Sequence, residues 1–231
     1  MKRNLISIDW DYFIPIDERL SGSYIENKRN IMTIWYKRYF ENKKCGINIE
    51  KSIREGIQLN SFLKKIKNYF NFGEKIKMYV SDSHKFSYDI AKVNKCSNII
   101  NFDAHSDLGY GGLKSIGFEL NCANWLGKLL KNKIADKANI VYSPYTYEKP
   151  EEFSEINNIF NIKYLDIEHL PKIKVDAIHV CRSGSWTPPW LDYKFYDFIK
   201  SFNISYKTID CPKRNWNPEN LKLADKIYIM L

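Results

Sequence analysis

Hydrophobic residues along the chain form short runs that alternate with stretches of helical spacing. The apolar runs have the length of buried strands and lie at 5–8, 76–80, 97–102, 139–142, 177–181 and 204–209. Apolar residues recur at helical spacing over 28–43, 59–70, 121–132 and 191–202. Strands that alternate with helices are typical of a mostly parallel sheet with right-handed crossovers and helices on both faces. We therefore predict an α/β fold, a three-layer α/β/α structure.

The composition limits the chain to a globular class. The chain has 231 residues, of which 44% are hydrophobic, so we expect a single domain over 1–231 with a substantial core. This composition excludes a disordered chain and a disulfide-dense miniprotein, and no apolar run approaches the ~20 residues that cross a bilayer. The five Cys form no CxxC pair, and Asp9 and Asp11 come too early for a signal peptide. We expect a cytoplasmic protein.

The net charge of +9 admits a polyanionic partner, but its distribution does not favour one. The Lys residues are scattered along the chain, and Lys, Asn and Ile are abundant together, as AT-rich codon usage produces. We therefore expect no nucleic-acid partner and no membrane partner.

Acidic and histidine side chains follow three of the predicted strands. Ligands of parallel sheets bind at the carboxyl ends of the strands, so we expect these side chains to converge there: Asp9, Asp11, His84, Asp103, His105 and Asp107. Four carboxylates repel one another unless cations compensate them. Oxygen ligands with one imidazole per ion and no Cys favour Mn²⁺, and two such ions ~3.5–4 Å apart would activate a water molecule.

The three segments differ in how strongly they indicate a metal. Taken alone, Asp9 and Asp11 would also suit a turn or a helix cap, and His84 would suit a cap or a core position. The stretch from Asp103 to Asp107 has no obvious structural purpose, because Asp, His and Asp follow a buried strand at spacings of two.

These segments resemble the motifs of the ureohydrolase (arginase and agmatinase) superfamily. The DAHxD motif is matched fully at 103–107, and S-x-D-x-D is matched by Ser7, Asp9 and Asp11. The GGDH segment is matched only in position and in its terminal His84. Here S-x-D-x-D opens the chain, and a Thr-Pro-Pro-Trp segment comes late, at 187–190. This order is similar to that of the peptide arginases, although the usual His-Gly proton-shuttle segment is absent.

The resemblance implies an arginase-like fold, two Mn²⁺ ions and a ligand set. Asp103 and Asp9 would each bridge both ions. His84 and Asp107 would complete one ion, and His105 and Asp11 the other. Asp107 would also hold the attacking water. The peptide arginases act on arginine side chains of ribosomally made precursor peptides, a form of peptide modification in RiPP biosynthesis, and give ornithine and urea.

Substrate recognition requires further residues. A carboxylate must neutralise and orient a guanidinium, and the candidates are Glu119 and Glu168. His169 is a candidate proton shuttle, so that the predicted catalytic residues are Asp107, Glu119, Glu168 and His169. Predicted substrate contacts are Arg182, Tyr110 and Trp186. A structural ion pair for Arg182, and core or rim packing for the two aromatic residues, remain open alternatives.

Three functions follow from the sequence. The first is a peptide arginase with a precursor peptide as its partner. The second is a ureohydrolase of a small guanidino or formimino compound such as agmatine or free arginine. The third is a non-catalytic basic binding protein with a relic metal site. The oligomeric state is not indicated.

Overall fold

The structure is a computed structural model that describes residues 2–15 and 31–230. The first residues of the helix predicted over 28–43 lie outside these ranges.

Within the described residues, one sheet of seven parallel strands forms the centre of the protein. The strands are β1 (Arg3–Asp9), β2 (Phe70–Ser81), β3 (Cys96–Asp103), β4 (Lys137–Tyr142), β5 (Ile162–Tyr164), β6 (Ile173–Cys181) and β7 (Tyr206–Ile209). Their spatial order is β5-β4-β3-β1-β6-β2-β7. The six predicted strands are confirmed. The edge strand β5 was missed, because three half-buried or exposed residues carry no clear hydrophobic pattern.

Helices cover both faces of the sheet, which confirms the three-layer α/β/α prediction. The α-helices of the described residues are α1 (Ile31–Lys44), α2 (Ile49–Ser52), α3 (Leu59–Ile66), α4 (Phe86–Asn94), α5 (Trp125–Lys131), α6 (Ser154–Asn157), α7 (Asp192–Ser201) and α8 (Leu223–Met230). Helices α1, α2, α3 and α7 contribute to one buried hydrophobic cluster. Helices α4, α5 and α6 contribute to a second cluster on the opposite face. No helix among the described residues is long and apolar enough to span a membrane.

The alternation of side chains along β1 explains how the two clusters form. Successive strand residues point to opposite faces, so Ile6 and Ile8 enter the first cluster and Leu5 the second. Complete burial of each such side chain contributes ~1.5–3 kcal/mol. Ser7 lies between them, fully buried, and faces α4, where its hydroxyl contacts that of Ser87.

The register of the central strands brings their carboxyl ends to one level. Ser7 of β1 pairs with Asn101 of β3 on one side and with His179 of β6 on the other. Ser81, the last residue of β2, pairs with Cys181, the last residue of β6. The loops that leave these four strands therefore meet above the middle of the sheet.

Candidate metal centre

The loops after β1 and β3 hold their carboxylates through backbone hydrogen bonds. Asp9 ends β1 and caps the following 3₁₀ turn (Trp10–Phe13), where its Oδ1 accepts a hydrogen bond from the Asp11 amide at 3.1 Å. This turn carries Asp11 towards β3, and its Oδ1 accepts from the Ala104 amide at 3.2 Å. Asp103 ends β3, and its Oδ1 accepts from the His105 amide at 2.9 Å. The backbone thus fixes each carboxylate in place.

One group of ligand atoms surrounds His84. Its Nδ1 lies 3.2 Å from Oδ2 of Asp9, 3.0 Å from Oδ2 of Asp103 and 2.8 Å from Oδ2 of Asp107. All four side chains are buried. None of the three oxygens is aligned to accept a hydrogen bond from Nδ1. A buried nitrogen therefore faces three carboxylates without a hydrogen bond.

A second group of ligand atoms lies beside the first and shares Asp103. Nδ1 of His105 lies 2.9 Å from Oδ2 of Asp11 and 3.6 Å from Oδ1 of Asp103. The two oxygens of Asp103 thus face different imidazoles, as a bridging carboxylate would. The His105 side chain is 35% exposed, so the cluster opens to solvent on this side.

The structure brings all six predicted metal ligands together. Within the described residues, Asp9, His84 and Asp103 each offer one ligand atom, and these three atoms lie within 4.8 Å of one another. The same holds for one ligand atom each of Asp11, Asp103 and His105. Asp107 stands directly beside the first group. The contacts of Asp103 fit a shared ligand, whereas Oδ2 of Asp9 faces the imidazole of His84 and its Oδ1 accepts from the Asp11 amide.

The donor set fits two divalent cations. In octahedral coordination with bonds of ~2.1 Å, neighbouring ligand atoms lie ~3.0 Å apart, which matches the spacing around His84. Four carboxylates with two neutral imidazoles carry a charge that two divalent ions would balance. The unsatisfied Nδ1 of His84 then has a natural partner. The six ligands include no thiolate, which favours Mn²⁺ or Mg²⁺ over a structural zinc ion.

The pKa shifts of two carboxyl groups also indicate that the cluster would be stabilised by cations. Burial together with the charges of Asp9 and Asp103 raises the pKa of Asp11 well above its usual range. Burial and the charge of Asp103 raise the pKa of Asp107 to about 7.

The pKa values of the two imidazoles of the cluster are raised, although burial alone lowers the pKa of a histidine. Burial opposes protonation, but Asp103, Asp107 and Asp9 outweigh it and raise the pKa of His84. Asp11 and Asp103 likewise outweigh burial and raise the pKa of His105. The carboxylates around each imidazole thus favour a positive charge at the positions that cations would take.

Asp107 is held by the start of α5 in a strained conformation. The indole N–H of Trp125 donates to Oδ2 of Asp107, and the indole packs 4.8 Å from the His84 ring. Asp107 has φ +53°, which is unfavourable for a residue with a side chain and is often found at functional sites. A Cβ at Gly127 would lie 2.3 Å from the Leu108 carbonyl oxygen, so only glycine allows α5 to approach so closely.

Ser183 is a site residue that sequence reasoning missed. It follows β6 and has φ +50°, and its hydroxyl donates a hydrogen bond to Oδ2 of Asp9. A lone serine in a Ser-Gly-Ser sequence carries no specific pattern, so only the neighbouring position of β6 could have indicated it.

Arg182 does not contact substrate space, contrary to the prediction. Its guanidinium is fully buried, with Nε 2.7 Å from Oδ1 of Asp82 and Nη1 3.2 Å from Oδ2 of Asp192. Nη2 donates to the Pro212 carbonyl at 2.8 Å. The alternative of a structural ion pair is therefore the correct one. Because Asp82 precedes His84 by two residues, this pair fixes the loop after β2.

Glu168 and His169 lie away from the cluster, against their predicted catalytic roles. Glu168 is 3.6 Å from Lys65 with a side chain that is 64% exposed, and its carbonyl accepts from the Tyr69 hydroxyl. His169 is 3.6 Å from Asp166 on the same surface. Between β5 and β6 the chain runs back to the amino-terminal ends of the strands, where β6 begins. This path separates both residues from the carboxyl ends of the strands.

Glu119 lies in the loop between the DAHxD segment and α5, and its side chain is exposed. Its backbone carbonyl accepts hydrogen bonds from Asn121 and Asn124. The position is on the correct side of the sheet, but among the described residues its carboxylate forms no hydrogen bond or ion pair with the six ligands.

Glu148 is a second site residue that the sequence did not reveal, and it contributes a carboxylate. Its Oε2 accepts hydrogen bonds from the Ser106 amide at 2.8 Å and from the Tyr142 hydroxyl at 3.3 Å, and Tyr110 donates its hydroxyl to Oε1. Burial raises the pKa of Glu148, whereas the nearby His105 lowers it. The residue follows β4, the neighbour of β3, and an acidic residue after that strand was the available indication.

The two aromatic candidates lie in different places: Tyr110 lies near the opening of the cluster, and Trp186 lies in the turn after β6. Tyr110 is 49% exposed and reaches Glu148, as described above. Trp186 is half-buried in the turn after β6, where its amide donates to the Ser183 carbonyl at 2.9 Å. The position of Tyr110 is compatible with a role at the rim of the site.

Comparison with known proteins gives no match to this chain among family models, curated proteins or solved structures. The function must therefore be argued from the residues of the site and their geometry.

Proposed function

We propose that the chain is a dinuclear manganese hydrolase that converts arginine residues of a peptide into ornithine and releases urea. The observation that carries the proposal is Asp103, whose two oxygens face the two imidazoles of a cluster of six ligands. The motifs of that cluster are the ones in which the chain resembles the ureohydrolase superfamily, and their order is similar to that of the peptide arginases.

The residues divide between two ions. His84, Asp9 and Asp107 would hold one ion, His105 and Asp11 would hold the other, and Asp103 would contact both. Bound there, the ions would lower the pKa of water and stabilise negative charge on the reacting group.

Glu148 is the best candidate for the carboxylate that orients the substrate cation. It lies beside His105, on the open side of the cluster, and three donors fix its position. A fixed carboxylate can hold a guanidinium by charge-assisted hydrogen bonds and present its carbon to the metal centre. This assignment replaces Glu119 and Glu168.

A peptide substrate fits the open side of the cluster better than a small molecule would. His105 and Tyr110 are both partly exposed, and a depression of about 350 Å³ adjoins Tyr110 and the glycines at 109, 111 and 112. An arginine side chain could enter from this surface while the peptide backbone stayed outside. The five cysteines are free, which suits the reducing cytoplasm in which we place the protein.

The test compares three substrates with the manganese-loaded protein. An arginine-containing peptide, free arginine and agmatine are incubated separately, and urea is assayed together with the loss of CH₂N₂ from the peptide by mass spectrometry. We expect urea from the peptide and none from the protein with Asp103→Asn. Urea from free arginine or agmatine alone would refute the peptide substrate. A fully loaded protein that releases urea from none of the three would refute the enzyme.

A further inference from the structure

A continuous chain of buried polar side chains lies beneath the metal centre. Ser7 and His179 occupy paired positions on β1 and β6, and both are fully buried on the face covered by α4. Ser87 in the first turn of α4 and Ser81 at the end of β2 complete the row, also fully buried. Their hydrogen bonds connect them to the metal-facing imidazole of His84.

The hydrogen bonds form one unbranched path. The Ser7 hydroxyl lies 2.6 Å from Nε2 of His84 and 2.7 Å from the Ser87 hydroxyl. The Ser87 hydroxyl lies 2.5 Å from Nδ1 of His179. Nε2 of His179 lies 2.8 Å from the Ser81 hydroxyl, which donates to the Ser83 carbonyl at 2.9 Å.

The last bond of this path fixes the direction at its lower end. A carbonyl oxygen only accepts, so Ser81 uses its single proton on Ser83 and must accept a hydrogen bond from Nε2–H of His179. If His179 is neutral, its Nδ1 then carries a lone pair and accepts the proton of Ser87. A histidine tautomer is thereby assigned from its partners.

The surroundings of His179 keep it neutral. The ring is completely buried, and among the described residues the hydrogen-bond partners of its two nitrogens are serine hydroxyls. Burial and the charge of His84 lower the pKa of His179 well below its usual range.

The direction of hydrogen-bond donation at His179 also determines the direction of the bonds between His179 and the metal centre. Because Ser87 donates to His179, it accepts from Ser7, and Ser7 has no proton left for His84. Nε2 of His84 must therefore be the protonated nitrogen. In neutral His84 this leaves the lone pair on Nδ1, the nitrogen that faces Asp9 and Asp103. A lone pair that faces carboxylates is repelled unless a cation lies between them.

A purely structural role would not require this chain. Buried hydroxyl and imidazole groups cost free energy unless every hydrogen bond is made, and apolar residues of similar shape would pack at this depth with no such cost. The neighbouring inward positions of β1 and β6, Leu5 and Ala177, are apolar.

We infer that His179, Ser81, Ser87 and Ser7 form a positioning chain that fixes the tautomer of His84, so that the neutral imidazole presents the lone pair of Nδ1 to a divalent cation. The inference rests on the proposed metal centre and extends it to residues that contact neither metal nor substrate. Partners of this kind orient metal-binding histidines, and their loss typically lowers metal affinity by about 10–100-fold.

The main test removes one link of the chain. In Ser87→Ala, Ser7 loses its acceptor and can donate to Nε2 of His84, which moves the His84 proton to Nδ1, where it competes with the ion. We expect one Mn²⁺ of two to bind about 10–100-fold more weakly in an electron paramagnetic resonance titration. Ser87→Thr keeps the hydroxyl and should restore the affinity.

A matched control distinguishes loss of the hydrogen bond from loss of a buried serine. Ser185 is also fully buried, but its hydroxyl has no hydrogen-bond partner in the described part of the chain. Ser185→Ala should leave both Mn²⁺ affinities unchanged. Equal affinities in Ser87→Ala and Ser185→Ala, or equal weakening of both ions in Ser87→Ala, would overturn the inference.

A second measurement reads the tautomers directly and needs neither a variant nor activity. The chain has four histidines, so ¹⁵N spectra of imidazole-labelled metal-free protein are simple to assign. We expect neutral His179 with its proton on Nε2 and a proton on Nε2 of His84. A proton on Nδ1 of neutral His179 would overturn the chain even if the protein bound manganese. A native protein with the expected tautomers that binds no divalent ion would instead overturn the proposed function.

Discussion

Binding of manganese to this site should release protons, because the metal-free cluster holds them where the ions would be. The pKa values of His84 and His105 are raised by their carboxylate neighbours, so we expect both imidazoles to be protonated at neutral pH without metal. A metal ligand must be a neutral imidazole. Saturation of the two sites therefore displaces one proton from each of these residues.

The expected size of the effect follows from these shifts. The two imidazoles contribute one proton each, and Asp107, with a pKa of about 7, contributes a further fraction at pH 7. Each released proton makes binding more favourable by ~1.4 kcal/mol for every unit of increasing pH. With at least two protons, the combined affinity for both ions should fall by at least about 100-fold for each unit by which the pH is lowered below neutrality.

Isothermal titration calorimetry measures this release. The apparent binding heat of Mn²⁺ is recorded at pH 7 in buffers that differ in their heats of ionisation and do not bind the metal. The slope against buffer heat gives the number of protons, and we expect at least two. His105→Gln should lower that number by about one. Binding of two ions with no proton release would refute the assignment of His84 and His105 as protonated ligands.

Three further predictions test separate parts of the account. Asp103→Asn should weaken both Mn²⁺ ions by more than about 100-fold, because each group loses its shared carboxylate; retention of either ion at full affinity would contradict the bridging role. Glu148→Gln should lower kcat/KM for the peptide by about 10–100-fold, equivalent to a charge-assisted hydrogen bond, with both ions retained; Glu168→Gln, whose carboxylate lies beside Lys65 and away from the cluster, is the control and should be neutral. Arg182→Met should destabilise the fold by ~3–5 kcal/mol in urea denaturation, because Asp82 is left buried and unpaired; an unchanged midpoint would refute the structural role of the ion pair.

The sequence was most informative where the hydrophobic pattern was regular. The runs around Ile6, Ile100 and Ile178 predicted three buried central strands, and the structure places all three in the middle of the sheet. Strand β5 was not recognised, and helix α4, which carries Ser87, was not predicted either. Short elements are decided by tertiary packing more than by their own pattern.

The clustering of the six side chains could be predicted because topology alone brings strand ends together. Asp9, His84 and Asp103 lie far apart in sequence, but each follows a strand, and parallel strands end at one edge. Residues that act through loops could not be placed in this way. Glu148 lies at the site after a loop of several residues that follows β4. Glu168 lies away from the site because the chain reverses its direction before β6. Local sequence spacing predicts neither path.

The positioning chain also lay beyond the reach of the sequence. His179 lies in the apolar strand β6 and is fully buried, so its position in the sequence suggests no more than a core residue. Its hydrogen bonds depend on the register of β1 against β6 and on the turn that begins α4, and these appear only in three dimensions.

The number of Mn²⁺ ions bound to the native protein is the most direct test of the central claim. Electron paramagnetic resonance, recorded during titration of the metal-free protein, separates free ions from bound ones and detects magnetic coupling between two ions that share a bridging ligand. The account predicts two bound ions per chain with a coupled signal. A native protein that binds no ion, or two ions without coupling, would contradict a centre bridged by Asp103.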